Sequence, residues 1–207
     1  MNTDGSASSL LFPVPYLPSV SLFIKLQSSN TIVIDANRAF KKAEHINRCS
    51  ISGANGIIKL SVPVAGGRGV KQPLKNVRIA NNEPWQRIHW GSIYSAYAKS
   101  AFFIFYEHKF APFYQKNYNF LLDFNTELLA VCCEILKFRK LIEKDGNQES
   151  NGPIISPLLF QIKMSIPAYQ QVFIDKHNFI SDLSIVDLIF NCGPESTVYL
   201  NRCLSLI

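Results

Sequence analysis

The sequence predicts a single α/β domain: a small mixed sheet begun by a βαβ unit and flanked by two long helices. Three observations predict it. Within residues 10–34, an apolar β-compatible run, a short helical pattern and a run of β-branched residues follow one another. That order suits a compact βαβ unit with parallel strands. Residues 49–64 read as strand, SGANG turn and strand, the signature of a hairpin. Two longer segments, 81–100 and 112–135, place apolar residues at three- and four-residue steps, the spacing of helices with one buried face.

The elements can be justified in order. Residues 1–9 are small and polar and read as a loose tail ahead of one domain over 10–207. Pro13, Pro15 and Pro18 force an extended turn through Tyr16. Ser19 or Ser21 then caps a helix whose apolar side carries Leu22, Phe23 and Leu26. The run TIVI at 31–34 is a buried-strand pattern ending at Asp35. The glycine-rich AGGRG at 65–69 lacks the spacing of a phosphate-binding loop and reads as a surface loop. A short strand is expected over 74–79. Asn81 or Asn82 with Pro84 starts the first long helix, 102–106 continues it irregularly, and Pro112 opens the second. Residues 140–153 are polar and rich in helix breakers, a flexible solvent loop. A strand pair over 154–164, a strand over 171–174, an apolar helix over 183–190 and a last helical turn over 195–200 complete the reading.

Composition excludes several function classes. A chain of 207 residues that is 47% hydrophobic and 17% charged can bury a real core. The net charge of +6 is scattered along the chain; a nucleic-acid binder gathers its cations on one face, so no nucleic-acid partner is expected. An anionic small molecule, such as a nucleotide-sugar or acyl donor, accounts for the same balance. The five cysteines show no metal-ligand spacing and read as reduced thiols. No apolar run reaches membrane-spanning length and the N-terminus has no basic region. The expectation is therefore a cytoplasmic protein without a membrane span. No cofactor fingerprint is present, and no metal site is expected.

The candidate chemistry gathers in residues 81–110, which hold Trp85, Arg87, His89, Trp90 and Tyr97. On a helix, His89 shares a face with Trp85 and Ile93, while Trp90, Tyr94 and Tyr97 form another. Both a pocket wall and a packing helix fit such aromatic bodies with polar tips. His89 is then either a pocket acid or base, or a helix histidine bonded to a nearby partner. Asn47 and Arg48 precede a strand, and Arg48 suits either an ion pair with Asp35 or bidentate anion binding. Asp123 and Asn125, two apart, cannot share a helix face. Cys49 follows a cation that would lower its pKa, which makes it a candidate nucleophile.

Several motifs agree in order: RCSISGANGIIKLSVPV, KQPLKNVRI, PWQRIHWGSIYSAYAKSAFF and FYQKNYNFLLDFN, then YQQVF and FISDLSIVDLIFNCGP. Over residues 15–200 the chain resembles the WbqC-like protein family in its Bacteroidetes-type form. The resemblance implies a cytoplasmic protein encoded beside surface-polysaccharide or O-antigen genes. The matching motif positions are Asn47, Arg48, Pro63, Trp85, Arg87, His89, Tyr97, Asp123 and Asn125, with Asp187 and Asn191 near the C-terminus. The chain departs from the family pattern at Pro15-Tyr16-Leu17-Pro18, where many relatives carry a His-Gln-Pro-like turn. It departs again at Asp35-Ala36-Asn37-Arg38, where a histidine and a glutamate are expected. The resemblance implies no particular reaction; the Trp-Arg-His helix taken with that gene context leads to the expectation of a small-molecule transferase of surface-polysaccharide synthesis. His89 would be the catalytic acid or base; Arg48 and Arg87 would bind an anionic group beside Trp85 and Trp90. The alternative is a non-catalytic binding or scaffold protein of a glycan-synthesis complex.

Overall fold

The computed structural model describes residues 9–29, 31–41, 44–66, 72–138, 141–144 and 166–206. Strand β1 (Ser9–Phe12), helix α1 (Val20–Gln27) and strand β2 (Thr31–Ile34) form the expected βαβ unit, with Leu11 opposite Val33 in parallel register. Ser19 caps α1 by accepting from the Leu22 amide, and every residue of the helix from Val20 to Ile24 is buried. Strand β5 (Leu141–Lys144), within the segment expected as loop, pairs with β2 in parallel, giving the order β1-β2-β5. Strands β3 (Arg48–Gly53) and β4 (Gly56–Ser61) form a separate antiparallel hairpin. Its tight turn uses Gly56 at a φ of 108°, open to glycine at no steric cost. Parallel and antiparallel strands therefore lie in two small sheets within one α/β domain.

Helices α2 (Trp85–Tyr97), α3 (Phe103–Phe110) and α4 (Leu121–Ile135) follow. A short α5 (Ile174–His177), then α6 (Ile185–Cys192) and α7 (Glu195–Leu204), close the described chain. Helix α6 is buried from Ile185 to Phe190 and packs against α1, α2, α3, α4, α7 and β3. A helix apolar all round belongs in the middle of a core. Gly193 ends it at a φ of 53°, and a Cβ there would run into the Phe102 ring.

Four further readings differ from expectation. Residues 74–79 give a 3-10 turn (Leu74–Asn76) followed by single bridges, not a strand. Pro112 sits in another 3-10 turn (Ala111–Tyr114), and the long helix begins only at Leu121. The backbone between them is drawn into pairing: the Ile79 amide donates to the Asn119 carbonyl and the Leu121 amide to that of Val77. Neither asparagine caps α2; the Asn81 side chain instead accepts from the Trp85 indole and donates to the Tyr118 carbonyl. Gln171, expected in a strand, has its side chain bonded to both backbone groups of Ile180, a clasp across the two ends of the segment that carries α5. The expected strand pair over 154–164, the tail over 1–8 and most of the glycine-rich loop lie outside the described residues. No helix among the described residues is long and apolar enough to cross a membrane.

Candidate functional site

The loop after β1 leaves the sheet at its C-terminal edge and lies beside the loop that enters β3. The two are tied together by the Tyr16 amide, which donates to the Ile46 carbonyl at 2.8 Å. Residues 182–184 form the third wall: Val20 and Ile185 amides donate to the Leu183 and Pro18 carbonyls, and the Ser184 amide donates to Ser50 of β3. Between these walls is a cleft of about 190 Å³. The lining side chains able to do chemistry include Ser19, Glu44, His45, Arg48, Asp182 and Ser184, with Tyr16, Cys49 and Ser50 beside them. The crevice outside the carboxyl ends of parallel strands is where open α/β sheets place their ligands.

Strained backbone collects at this cleft. Among the described residues five non-glycine positions have left-handed φ, and Leu17 (41°), His45 (55°) and Asp182 (57°) all line it. A left-handed leucine is a true outlier, and such outliers cluster at ligand sites. The surrounding bonds hold them: the Ser184 hydroxyl donates to the Leu17 carbonyl at 3.0 Å, and Asp182 accepts from the Ser21 amide at 3.0 Å. That second bond places a carboxylate at the start of α1, where the helix dipole favours it. Burial nevertheless holds the Asp182 pKa above its ordinary value, against the bonds from Ser21 and Ser19.

Arg48 is exposed at the rim, with Nη1 3.4 Å from His45 Nδ1. It does not pair with Asp35; Asp35 lies 3.9 Å from Arg38, which reaches Glu44 at 2.9 Å. Burial first, then Arg48 and Lys59, lower the His45 pKa below 6.5, so its imidazole is neutral near pH 7.

Three other predicted residues stand behind the cleft and brace its walls. Asn125 is completely buried, and its amide donates to the carbonyls of Val14 (2.8 Å) and Ile46 (3.2 Å), one on each loop. Asn47 donates to the Val62 carbonyl at 2.8 Å, holding the entry to β3 against the end of β4. His89 is 5% exposed, and its Nδ1 lies 3.0 Å from the Tyr16 hydroxyl, which contacts the Tyr114 hydroxyl at 2.9 Å. Burial pushes the His89 pKa down to about 4, opposed by a hydrogen bond with the Ser61 backbone. The imidazole does not itself line the cleft; it meets Tyr16, which does.

The remaining candidates lie elsewhere. Trp85 packs edge-on against His89 and Phe124, and Trp90 stacks on Tyr114 and Phe103. The Tyr97 hydroxyl accepts from the Ser52 amide and donates to Asp187, which also receives Tyr169 and Gln171. Three donors thus satisfy this buried carboxylate, as its burial demands. Arg87 is exposed on α2, outside the cleft lining. Asp123 borders a second groove with Tyr118, Phe120, Thr126 and Glu127. Cys49, by contrast, does line the cleft, but burial pushes its thiol pKa well up, the reverse of nucleophile activation.

Sequence reasoning missed Ser19, Glu44, His45, Asp182 and Ser184 as lining. Only the turn-forming Pro15–Pro18 stretch and the Ser181-Asp182 pair hinted at them. Among the described residues no three His, Cys, Asp or Glu side chains converge as metal ligands.

The sequence model of the WbqC-like protein family matches residues 14–152 and 157–199. The chain belongs to the WbqC-like protein family. The match spans all three walls of the cleft in this WbqC-like chain, with Pro15–Ser19, Glu44–Ser50 and Asp182–Ser184 inside it. No curated protein and no solved structure gives a significant match.

Proposed function

We propose that this cleft binds an anionic small molecule through Arg48, and that the protein is a transferase-type enzyme of surface-polysaccharide or O-antigen synthesis. Its donor would be a nucleotide-sugar or an acyl carrier. The observation that carries the reading is the gathering of three left-handed residues around one cleft with an exposed arginine at its mouth. Backbone strain persists only where the surroundings impose it, and ligand sites are where it is kept. His45, rather than His89, is the imidazole that reaches the cleft, so proton transfer at this site falls to it. Asn47, Asn125 and His89 position the walls.

A thermal-shift screen against nucleotide-sugars and acyl-coenzyme A compounds tests this reading, because a ligand of the folded state raises the melting temperature. The expected hit disappears in Arg48→Gln and survives in Arg87→Gln. A hit indifferent to Arg48, or silence across both classes, overturns it.

One observation favours a second reading, a non-catalytic component of a glycan-synthesis complex. Ile88 and Tyr94 on α2 and Ile104 and Phe105 on α3 are large apolar side chains left exposed, as a partner-binding surface requires. Binding without turnover of any nucleotide-sugar or acyl donor would support it.

A further inference from the structure

We propose that the anionic group taken by the cleft is a phosphoryl group, held by Arg48 and Lys59, with His45 taking up a proton as the group binds. This rests on the proposed reading of the cleft as an anion site and adds the chemistry of the anion.

The hairpin register places the cations. Arg48 lies opposite Ser61 and Ser50 opposite Lys59, so these four share one face while Cys49 and Leu60 turn into the core. Arg48 and Lys59 are diagonal neighbours on that face, about 7–8 Å apart at the backbone and within reach of one ligand between two long side chains. Ser50, between them, lines the cleft; Lys59 is exposed and stands outside the lining, and its long side chain has to reach in from that face. His45 completes the group, since its contact with Arg48 at 3.4 Å brings a donor-only guanidinium against Nδ1. That contact requires the neutral imidazole with its lone pair on Nδ1.

The surrounding acids are committed elsewhere. Glu44, adjacent to His45, is held by Arg38 at 2.9 Å and lies 3.8 Å from Lys41. Asp182, on the opposite wall, caps α1 through the Ser21 amide. Among the described residues no ion pair joins Arg48 or Lys59 to a carboxylate. Two cations beside a neutral imidazole, with no carboxylate paired to either cation, call for a ligand of more than one negative charge. A carboxylate offers two oxygens and one charge; a phosphoryl group offers three oxygens and up to two charges.

The volume agrees. At about 190 Å³ the cleft falls below the roughly 300–1,000 Å³ that engulfs a drug-sized ligand. It accepts a head group and leaves the rest of the ligand at the mouth. The hydroxyls of Ser19 and Ser184 and the Asp182 carboxylate on the far wall suit the hydroxyls of a sugar attached to that head group.

The proton follows from the charges. Two cations disfavour a third on His45, and a bound dianion reverses that effect. Anion affinity then rises as pH falls toward the His45 pKa of the free protein, by up to about tenfold per pH unit for one linked proton.

Isothermal titration calorimetry on the full chain tests this with sulfate, a tetrahedral dianion whose own charge is constant from about pH 6 to 8, where an imidazole titrates. The expected result is sulfate binding that tightens as pH falls, with proton uptake visible as a dependence of the heat on buffer ionisation. Lys59→Gln weakens binding, Arg48→Gln abolishes it, and His45→Gln removes the pH dependence. Circular dichroism confirms that these exposed variants fold. Acetate binding as tight as sulfate would overturn the phosphoryl assignment while leaving the anion cleft standing; pH-independent sulfate binding would overturn the role of His45. No sulfate binding, beside a nucleotide-sugar or acyl-carrier hit that depends on Arg48, overturns this inference and spares the functional reading. Uridine diphosphate and coenzyme A, run in parallel, distinguish the two sources of a phosphoryl group.

Discussion

The Tyr16 hydroxyl lies 3.0 Å from Nδ1 of His89, fastening the loop after β1 to the middle of α2. With Tyr114 donating to Tyr16 and Tyr16 to the imidazole, the three groups form one buried chain in which His89 must accept at Nδ1. That arrangement exists only while His89 is neutral.

A pH dependence follows. The folded-state pKa of His89 is about 4, below its ordinary 6.5, so the unfolded chain takes the proton first. Stability from this group is complete above about pH 6.5 and is lost as pH falls toward 4. A shift of that size corresponds to about 3 kcal/mol. Urea unfolding at pH 7 and pH 4.5 should show a larger loss for the wild type than for His89→Gln. Equal losses would remove His89 as the source.

Asn125→Ala leaves the Val14 carbonyl without its buried donor and the Ile46 carbonyl with the Tyr16 amide alone. The expected cost is about 1–3 kcal/mol by denaturant unfolding, that of one unsatisfied buried acceptor. Anion affinity should fall as well, because the two loops that frame the cleft lose their common clamp. Unchanged affinity in the folded variant would separate the clamp from the site.

His45→Gly should act in opposite directions on stability and binding. His45 is exposed with a φ of 55°, and glycine adopts that conformation without the penalty of about 1 kcal/mol or more that a side chain incurs. The melting temperature should rise and sulfate affinity should fall. A lower melting temperature would show that the imidazole stabilises the loop it strains.

The five cysteines are free, and all but Cys192 are buried. Burial pushes the Cys133 thiol up to about 12 and that of Cys192 up to about 11. Iodoacetamide at pH 7 should label the native protein slowly and Cys192 first, with the others following only on unfolding. Rapid native labelling of Cys49, read by mass spectrometry, would contradict the sealed core.

Local signals carried the parts of the fold that are local. Ser19, directly after Pro18, marked α1, β-branched residues marked β2, and Gly53 with Gly56 marked the hairpin. Pro112 misled because a 3-10 turn uses the same residue as a helix start, and the pairing of 119–121 with 77–79 that delays α4 is a long-range event. The site suffered the same way. Spacing put His89 on one face with Trp85, yet nothing local says which face meets the core. Of the predicted residues, Arg48 and Cys49 border the cleft; Asn47, Asn125 and His89 serve its frame. His45 and Asp182 form no motif, because the contact that brings Asp182 to α1 spans 161 residues.

That separation has a consequence for synthesis at the ribosome. A nascent chain can form β1, α1, β2 and the hairpin while the wall built by Leu183 and Ser184 has not yet emerged. The α1 start then lacks its Asp182 cap, and Leu17 lacks the Ser184 bond that steadies its backbone. Closure of a loop this long comes late in folding. A copy truncated before residue 182 would lack the third wall of the cleft, and under the proposed reading it should not bind the anion.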